Sequence, residues 1–222
     1  MLRTSITAAA AVAALAVLTA CGGPVQMGAA ATVGSNGISA STLDNEVANL
    51  NAAYHASKGR IQYQFPASRA PQQVLSWLLR FRVRDQLAAQ HHLTVTAGQG
   101  QRALAAVQSQ ARQNGLTLTQ LAVANGLPPD QLPQLGRFQA IETRLVGQLD
   151  GGKLPTSQSA LQTLSNELSR QQCLAAKSLN IKVNPQYGKL NYTQLAVVPA
   201  ASMLSAPAGV RASQPAQSAP SC

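Results

Sequence analysis

Between Val74 and Leu87 the chain places Val74, Leu75, Trp77, Leu78, Leu79, Phe81, Val83 and Leu87, apolar nearly all the way round a helix. Such a helix has to be covered on several sides, so it belongs at the centre of a larger bundle. Pro71 suits its first turn, and the helix is predicted to run to about His91. The neighbouring segments carry single apolar stripes. One has Leu43, Val47, Leu50 and Tyr54, and another Leu104, Val107 and Ala111. A short one spans Leu118 to Asn125. A longer one repeats Leu135, Phe138, Ile141, Leu145 and Leu149 at steps of three and four. The last carries Leu161, Leu164, Leu168, Ala175 and Leu179. The expectation is an all-α fold of about six helices.

Two short extended pieces frame these helices. Ala31-Thr32-Val33 and Ile38-Ser39 flank Gly34-Ser35-Asn36-Gly37, and Asn36-Gly37 is a hairpin turn signal because both positions tolerate positive φ. Ser41 is the expected N-cap of the first helix, with Asp44 and Glu46 in its first turn. After the last helix, Ile181 to Gly188 leaves in extended form and turns, since Pro185 cannot continue a helix. The small N-terminal hairpin and this C-terminal extended segment are expected to pair. From Pro199 onward the chain is Ala, Ser, Pro and Gln, a composition expected to be disordered.

The first residues read as an export address. Arg3 precedes an uncharged run of Ala, Val and Leu from Ile6 to Leu18, too short for a membrane span. Leu18-Thr19-Ala20-Cys21 resembles the lipobox of bacterial lipoproteins. That resemblance implies cleavage before Cys21 and a diacylglyceryl (palmitate-type) anchor on its thiol. The expected organisation is a signal peptide over 1–20, a flexible tether over 21–31, a helical domain over 32–198 and a tail over 199–222. The expected location is the extracytoplasmic face of the bacterial membrane.

Charge bears on partners. The net charge is +10, and +9 once Arg3 is discounted. Such a surface attracts nucleic acid, anionic lipid or acidic partners. The densest basic group, Arg80, Arg82 and Arg84, fans around a helix axis without forming a stripe, so a solvated role is expected. Export also removes nucleic acid from reach, so no nucleic-acid partner is expected.

Taken in order, the mature segments resemble the N-terminal domain of SurA-type periplasmic chaperones and their lipoprotein relatives. The resemblance rests on Val33-Gly34-Ser35-Asn36-Gly37-Ile38-Ser39 feeding a helix with Leu43 and Val47, and on Val74-Leu75 with Leu78 in a long helix ending Ala88-Ala89-Gln90. It continues through Leu93, Val95 and Thr96, then Gly115-Leu116 with Leu118 and Leu121, and ends at Val183-Asn184-Pro185-Gln186-Tyr187-Gly188. It covers roughly Val33 to Val198. It implies a last helix returning onto the earlier ones, and binding of unfolded or extended polypeptide through apolar surface. Many family members carry a parvulin prolyl-isomerase domain before the last helix. Here Asp150 to Pro155 stands in that place, and no such domain fits there, so isomerase activity is expected to be absent.

The aromatic residues Tyr63, Phe65, Trp77 and Phe81 are the candidate client contacts; the competing reading has Tyr63 and Phe65 covering the helical core. No phosphate loop, paired-His helix or Cys-pair zinc pattern occurs, so neither enzyme chemistry, a cofactor nor a metal is expected. Cys173 and Cys222 either pair with each other, as thiols outside the cytoplasm often do, or remain a buried thiol and a free terminal one. The rival to a chaperone is an interaction lipoprotein that binds one folded partner.

Overall fold

A computed structural model describes residues 28–151, 157–200 and Cys222. The export signal, the lipidation residue Cys21, and most of the tether and tail lie outside the described residues. Strands β1 (Ala29–Val33) and β2 (Asn36–Ser39) form an antiparallel hairpin. Its two-residue loop is Gly34-Ser35, with Gly34 at φ +59°. The turn therefore sits two residues earlier than Asn36-Gly37, which instead begin β2. Glycine at the first loop position supplies the twist that joins right-twisted strands.

Helix α1 (Ala40–Ala56) starts two residues earlier than expected. Ser39, not Ser41, caps it: its hydroxyl accepts the Thr42 N–H at 2.9 Å. Asp44 and Glu46 consequently lie beyond the first turn. The central helix α2 spans Ala70–Gln90 with Pro71 in its first turn. Helices α3 (Ala97–Gln113) and α4 (Leu118–Ala124) each open on a reciprocal capping box, Thr96 with Gln99 and Thr117 with Gln120. A 3-10 turn at Pro129–Gln131 leads into α5 (Leu132–Leu149), and α6 spans Gln158–Ser178.

The fold is mostly helical, with α2 at its centre. Val74, Leu75, Leu79, Val83 and Leu87 are at most 1% exposed, which is what an all-round apolar helix requires. They join Leu43 and Leu50 of α1, Ile141 and Leu145 of α5, and Leu168, Ala175 and Ala176 of α6 in one core. A second, smaller cluster gathers Phe81, Ala122, Leu127 and Leu135, with Trp77, Leu104, Leu132 and Phe138 against it. Helices α3 and α5 cross backbone to backbone at Gly100 and Gly136. A Cβ on Gly136 would lie 2.6 Å from the Gly100 carbonyl oxygen.

The C-terminal end closes on the N-terminal hairpin. Strand β3 (Lys182–Val183) pairs antiparallel with β1, giving the order β2-β1-β3. Asn184 donates from its side chain to the Ala29 carbonyl at 3.1 Å. A second hairpin, β4 (Lys189–Asn191) with β5 (Ala196–Val198), was not expected from the sequence. Polar groups on α2 hold it. The Ser76 hydroxyl accepts the Val197 N–H at 2.8 Å, and Arg80 Nε donates to the Leu195 carbonyl at 3.1 Å. Cys173 of α6 is joined to Cys222 by a disulfide, with Cα atoms 5.6 Å apart.

Candidate functional site

The four aromatic residues singled out in the sequence do not make one surface. Tyr63 and Phe65 stack in a ladder on Tyr54, at centroid distances of 4.2 Å (Tyr54 to Tyr63) and 4.6 Å (Tyr63 to Phe65). Both pack against the main core, and the Tyr63 hydroxyl donates to Asn51 Oδ1 at 3.1 Å. Burial raises the Tyr63 pKa above its ordinary value. They cover the core, the competing reading of this segment.

Trp77 and Phe81 belong to the second cluster and form a triad with Phe138, at centroid distances of 5.8 to 6.3 Å. The Trp77 indole N–H donates to the Asn125 carbonyl at 3.0 Å. Phe81 is 7% exposed, so it is a floor residue and not an open contact.

Two hollows lie beside this triad, around the first turns of α5, while the large apolar side chains most open to solvent, Leu161 and Leu174, stand on α6. A hollow of about 220 Å³ sits between β2, α2 and the start of α5; Gly37, Ile38, Leu78, Phe81 and Arg82 are among its walls. A second, of about 500 Å³, lies between α3 and α5 and is lined mainly by Val95, Ala97, Leu104 and Pro133, with Gln101 and Arg137 at its margin. A narrow neck over Phe81, Phe138 and Ile141 adjoins both. Gln134 lines all three. At the neck Arg137 Nε meets Asp85 Oδ1 at 2.8 Å, and each side chain is about two-fifths exposed. An exposed pair of this kind contributes only about 0–1 kcal/mol, so a ligand can displace it at low cost.

Two buried charges shape the walls. Arg84 has 3% of its side chain exposed, sits over the Phe138 ring at 4.2 Å and donates to Glu142 at 3.2 Å. Burial lowers its pKa, and the Glu142 carboxylate works against that shift. The solvated role expected for the arginine group therefore holds for exposed Arg82 and fails for Arg84. Residues two positions apart lie some 160° apart around a helix, so Arg84 faces α5 while Arg82 faces outward.

Behind the smaller hollow, Glu46 of α1 accepts from its wall residue Gln131 at 2.7 Å, and Asn49 donates to Asp130 at 3.2 Å, fixing the entry to α5. Burial raises the Glu46 pKa, the nearby Asp130 adds to it, and the Gln131 hydrogen bond opposes both. The folded chain thus holds this proton more tightly than the unfolded one. Stability then falls as pH climbs from the ordinary value of 4.5 through the raised one. Glu46→Gln removes that dependence. In thermal melts the variant should match the parent near about pH 4 and melt higher near about pH 8.

Among the described residues no group of three or more His, Cys, Asp or Glu side chains is placed to hold a metal ion. Nor is any described helix long and apolar enough to cross a membrane. No protein-family model matches the chain, and no curated protein matches it in sequence.

The residues that make the hollows, Gly37, Leu104, Gln134 and Arg137, were not singled out beforehand. No spacing rule marks them as one site, because they come from three separate elements. One signal was present. Gly100 and Gly136 interrupt otherwise regular helical stripes, and a glycine inside a helix often marks a close backbone approach.

Proposed function

We propose that this protein is a lipid-anchored, extracytoplasmic, chaperone-like polypeptide-binding module without prolyl-isomerase activity. It would be tethered to the bacterial membrane through Cys21. The observation that carries the reading is the apolar hollow between α3 and α5, about 500 Å³ and open to solvent beside a polar, hydrogen-bonding rim. Apolar side chains of an extended client would gain about 25 cal/mol per Å² buried there, with little demand on sequence. The glutamines Gln101 and Gln134 can both donate to and accept from a peptide backbone. The resemblance to SurA-type N-terminal domains supports the same reading.

The test uses Gln134, an exposed residue on helix α5 that borders both the 220 Å³ and the 500 Å³ hollow. Gln134→Trp places a large ring across that shared border without touching the core. The mature protein should suppress aggregation of a denatured client diluted from urea at near-stoichiometric ratios. The Trp variant should lose most of that effect while keeping its melting temperature. An unaltered aggregation time course with excess parent protein would refute the reading.

The enclosure of Phe81 favours the second reading, an interaction lipoprotein that takes one folded partner. That reading expects no suppression of any unfolded client.

A further inference from the structure

The sheet at the N-terminal end has an open side. Its order is β2-β1-β3, so β1 is paired on both flanks, and among the described residues no strand lies against the outer edge of β2. The register shows which backbone groups that edge presents. Val33 opposite Asn36 closes the two-residue loop, and Thr32 opposite Gly37 is the next pair. Opposed residues in an antiparallel ladder alternate between hydrogen-bonded and non-hydrogen-bonded pairs, and the loop-closing pair is hydrogen-bonded. The N–H and C=O of Gly37 therefore point away from β1.

Natural edges are usually blunted by a charge, a proline or a bulge. The sequence of β2, Asn36-Gly37-Ile38-Ser39, has no charge and no proline, and the irregularity in this hairpin falls between Ala29 and Ala31 on β1. Gly37 is exposed and carries no side chain to hold a neighbouring strand away.

What lies beyond this edge is the smaller hollow, about 220 Å³, with Ile38, Leu78 and Phe81 in its floor and walls. Its charged residues are Arg82 and Asp85. Asp85 is already matched by Arg137 at 2.8 Å. Arg82 is exposed and has no ion-pair partner among the described residues. The edge thus offers a main-chain donor and acceptor, a recess where apolar Ile38, Leu78 and Phe81 meet polar Thr42, Gln131 and Gln134, and an unmatched cation at its margin.

We propose that the outer edge of β2 is a docking site for an extended polypeptide strand that carries an acidic residue two positions from an apolar one, so that both side chains face the recess. The strand adds to the sheet through Gly37, lowers its apolar side chain into the recess over Leu78 and Phe81, and sets its carboxylate against Arg82. Main-chain hydrogen bonds supply sequence-independent hold, while the recess and the arginine supply selectivity. This deepens the polypeptide-binding reading by naming how the client backbone is gripped, and it rests on that reading.

The probe is a capped heptapeptide with leucine and glutamate in turn at every second position and serine between them, so that both share one face; it is compared with the same peptide N-methylated at alternate backbone nitrogens and with a leucine–lysine counterpart. Binding is followed by fluorescence anisotropy, and the contact by hydrogen exchange at the Gly37 amide. The leucine–glutamate peptide should bind and slow Gly37 exchange. N-methylation should weaken binding about tenfold or more, the loss of one or more main-chain hydrogen bonds. Gly37→Pro removes the outward N–H at an edge position where proline is tolerated, and should weaken binding to a similar degree. Should that variant disturb the hairpin, Arg82→Glu on the exposed face of α2 tests the same site without touching the sheet. It should invert the preference between the glutamate and lysine peptides.

Equal binding of the methylated peptide, Gly37 exchange unchanged at saturation, or a charge preference indifferent to Arg82→Glu would each overturn the proposal. Client holding that depends on Gln134 but not on Gly37 or Arg82 would sink the edge and leave the polypeptide-binding reading standing. Peptide protection at Gly37 without any suppression of aggregation would do the reverse.

Discussion

Gly136→Val is expected to destabilise the protein by about 3 kcal/mol, the upper end of what overpacking a close contact costs. The position sits where α3 and α5 touch through their backbones. An ideal Cβ on Gly136 meets the Gly100 carbonyl oxygen at 2.6 Å and its carbon at 3.2 Å. Those atoms belong to a helix and cannot swing aside as a side chain would. The helices must therefore separate, and Leu104, 3.4 Å from the same point through its Cβ, loses its seat in the second cluster. For a chain of this size the melting temperature should drop by roughly 6–12 °C. Gly147, on the same helix, provides the internal control, because nothing lies within 4 Å of its would-be Cβ. Gly147→Ala should stabilise by about 0.5–1 kcal/mol through helix propensity alone. If the two substitutions shift the melt in the same direction, the crossing is not as tight as described. The α3–α5 hollow should also widen in the valine variant, so client holding should change along with stability.

The second large effect concerns Arg84. Glu142→Ala is expected to cost about 2 kcal/mol, less than the 3–5 kcal/mol for breaking a fully buried pair because the Glu142 side chain is 35% exposed. The loss comes from leaving a guanidinium with 3% side-chain exposure uncompensated beneath Phe138. Its Nη1 already lacks a partner among the described residues, so little else is present to take over. Arg84→Met in the Glu142→Ala background removes the stranded charge while keeping an unbranched apolar stem over the ring. Urea unfolding should show the double variant recovering most of the loss. A double variant no more stable than Glu142→Ala alone would mean that the pair contributes through packing and not through charge.

Some positions were legible one residue at a time. Thr96 with Gln99 and Thr117 with Gln120 are reciprocal caps written locally, and both are made in the structure. Pro71 marks the first turn of α2 for an equally local reason: it has no N–H to leave unsatisfied. The hairpin turn and the first helix cap were misplaced by two residues each because several tolerant residues stand side by side. Gly34-Ser35 and Asn36-Gly37 both satisfy the local rule, as do Ser39 and Ser41, and the choice between them depends on strand pairing. Ser76 shows the limit more sharply. It is a small polar residue in the middle of an apolar helix, 1% exposed, and nothing local says that Val197 lies over it. The β4–β5 hairpin was missed for that reason: its strands are three residues long and held by groups more than a hundred positions away.

The candidate site was less legible than the fold. Aromatic residues draw attention in a chain with so few, yet only Phe81 is buried outright, and Tyr63, Phe65 and Trp77 are half-buried against the core. Tyr63, Phe65, Trp77 and Phe81 are consumed by stacking and by hydrogen bonds to Asn51 and Asn125. The accessible apolar surface falls to smaller residues, Val95, Ala97, Leu104 and Pro133, whose joint exposure depends on how closely α3 can approach α5.

By itself the sequence determined the helix count, the order of the elements and the central position of the Val74–Leu87 helix, because amphipathic period and capping are properties of neighbours along the chain. The tertiary structure alone decided which arginine is buried, where the second hairpin docks and where apolar surface stays open. Those depend on distances between segments remote in sequence, and the burial energy that sets them is a property of the packed whole.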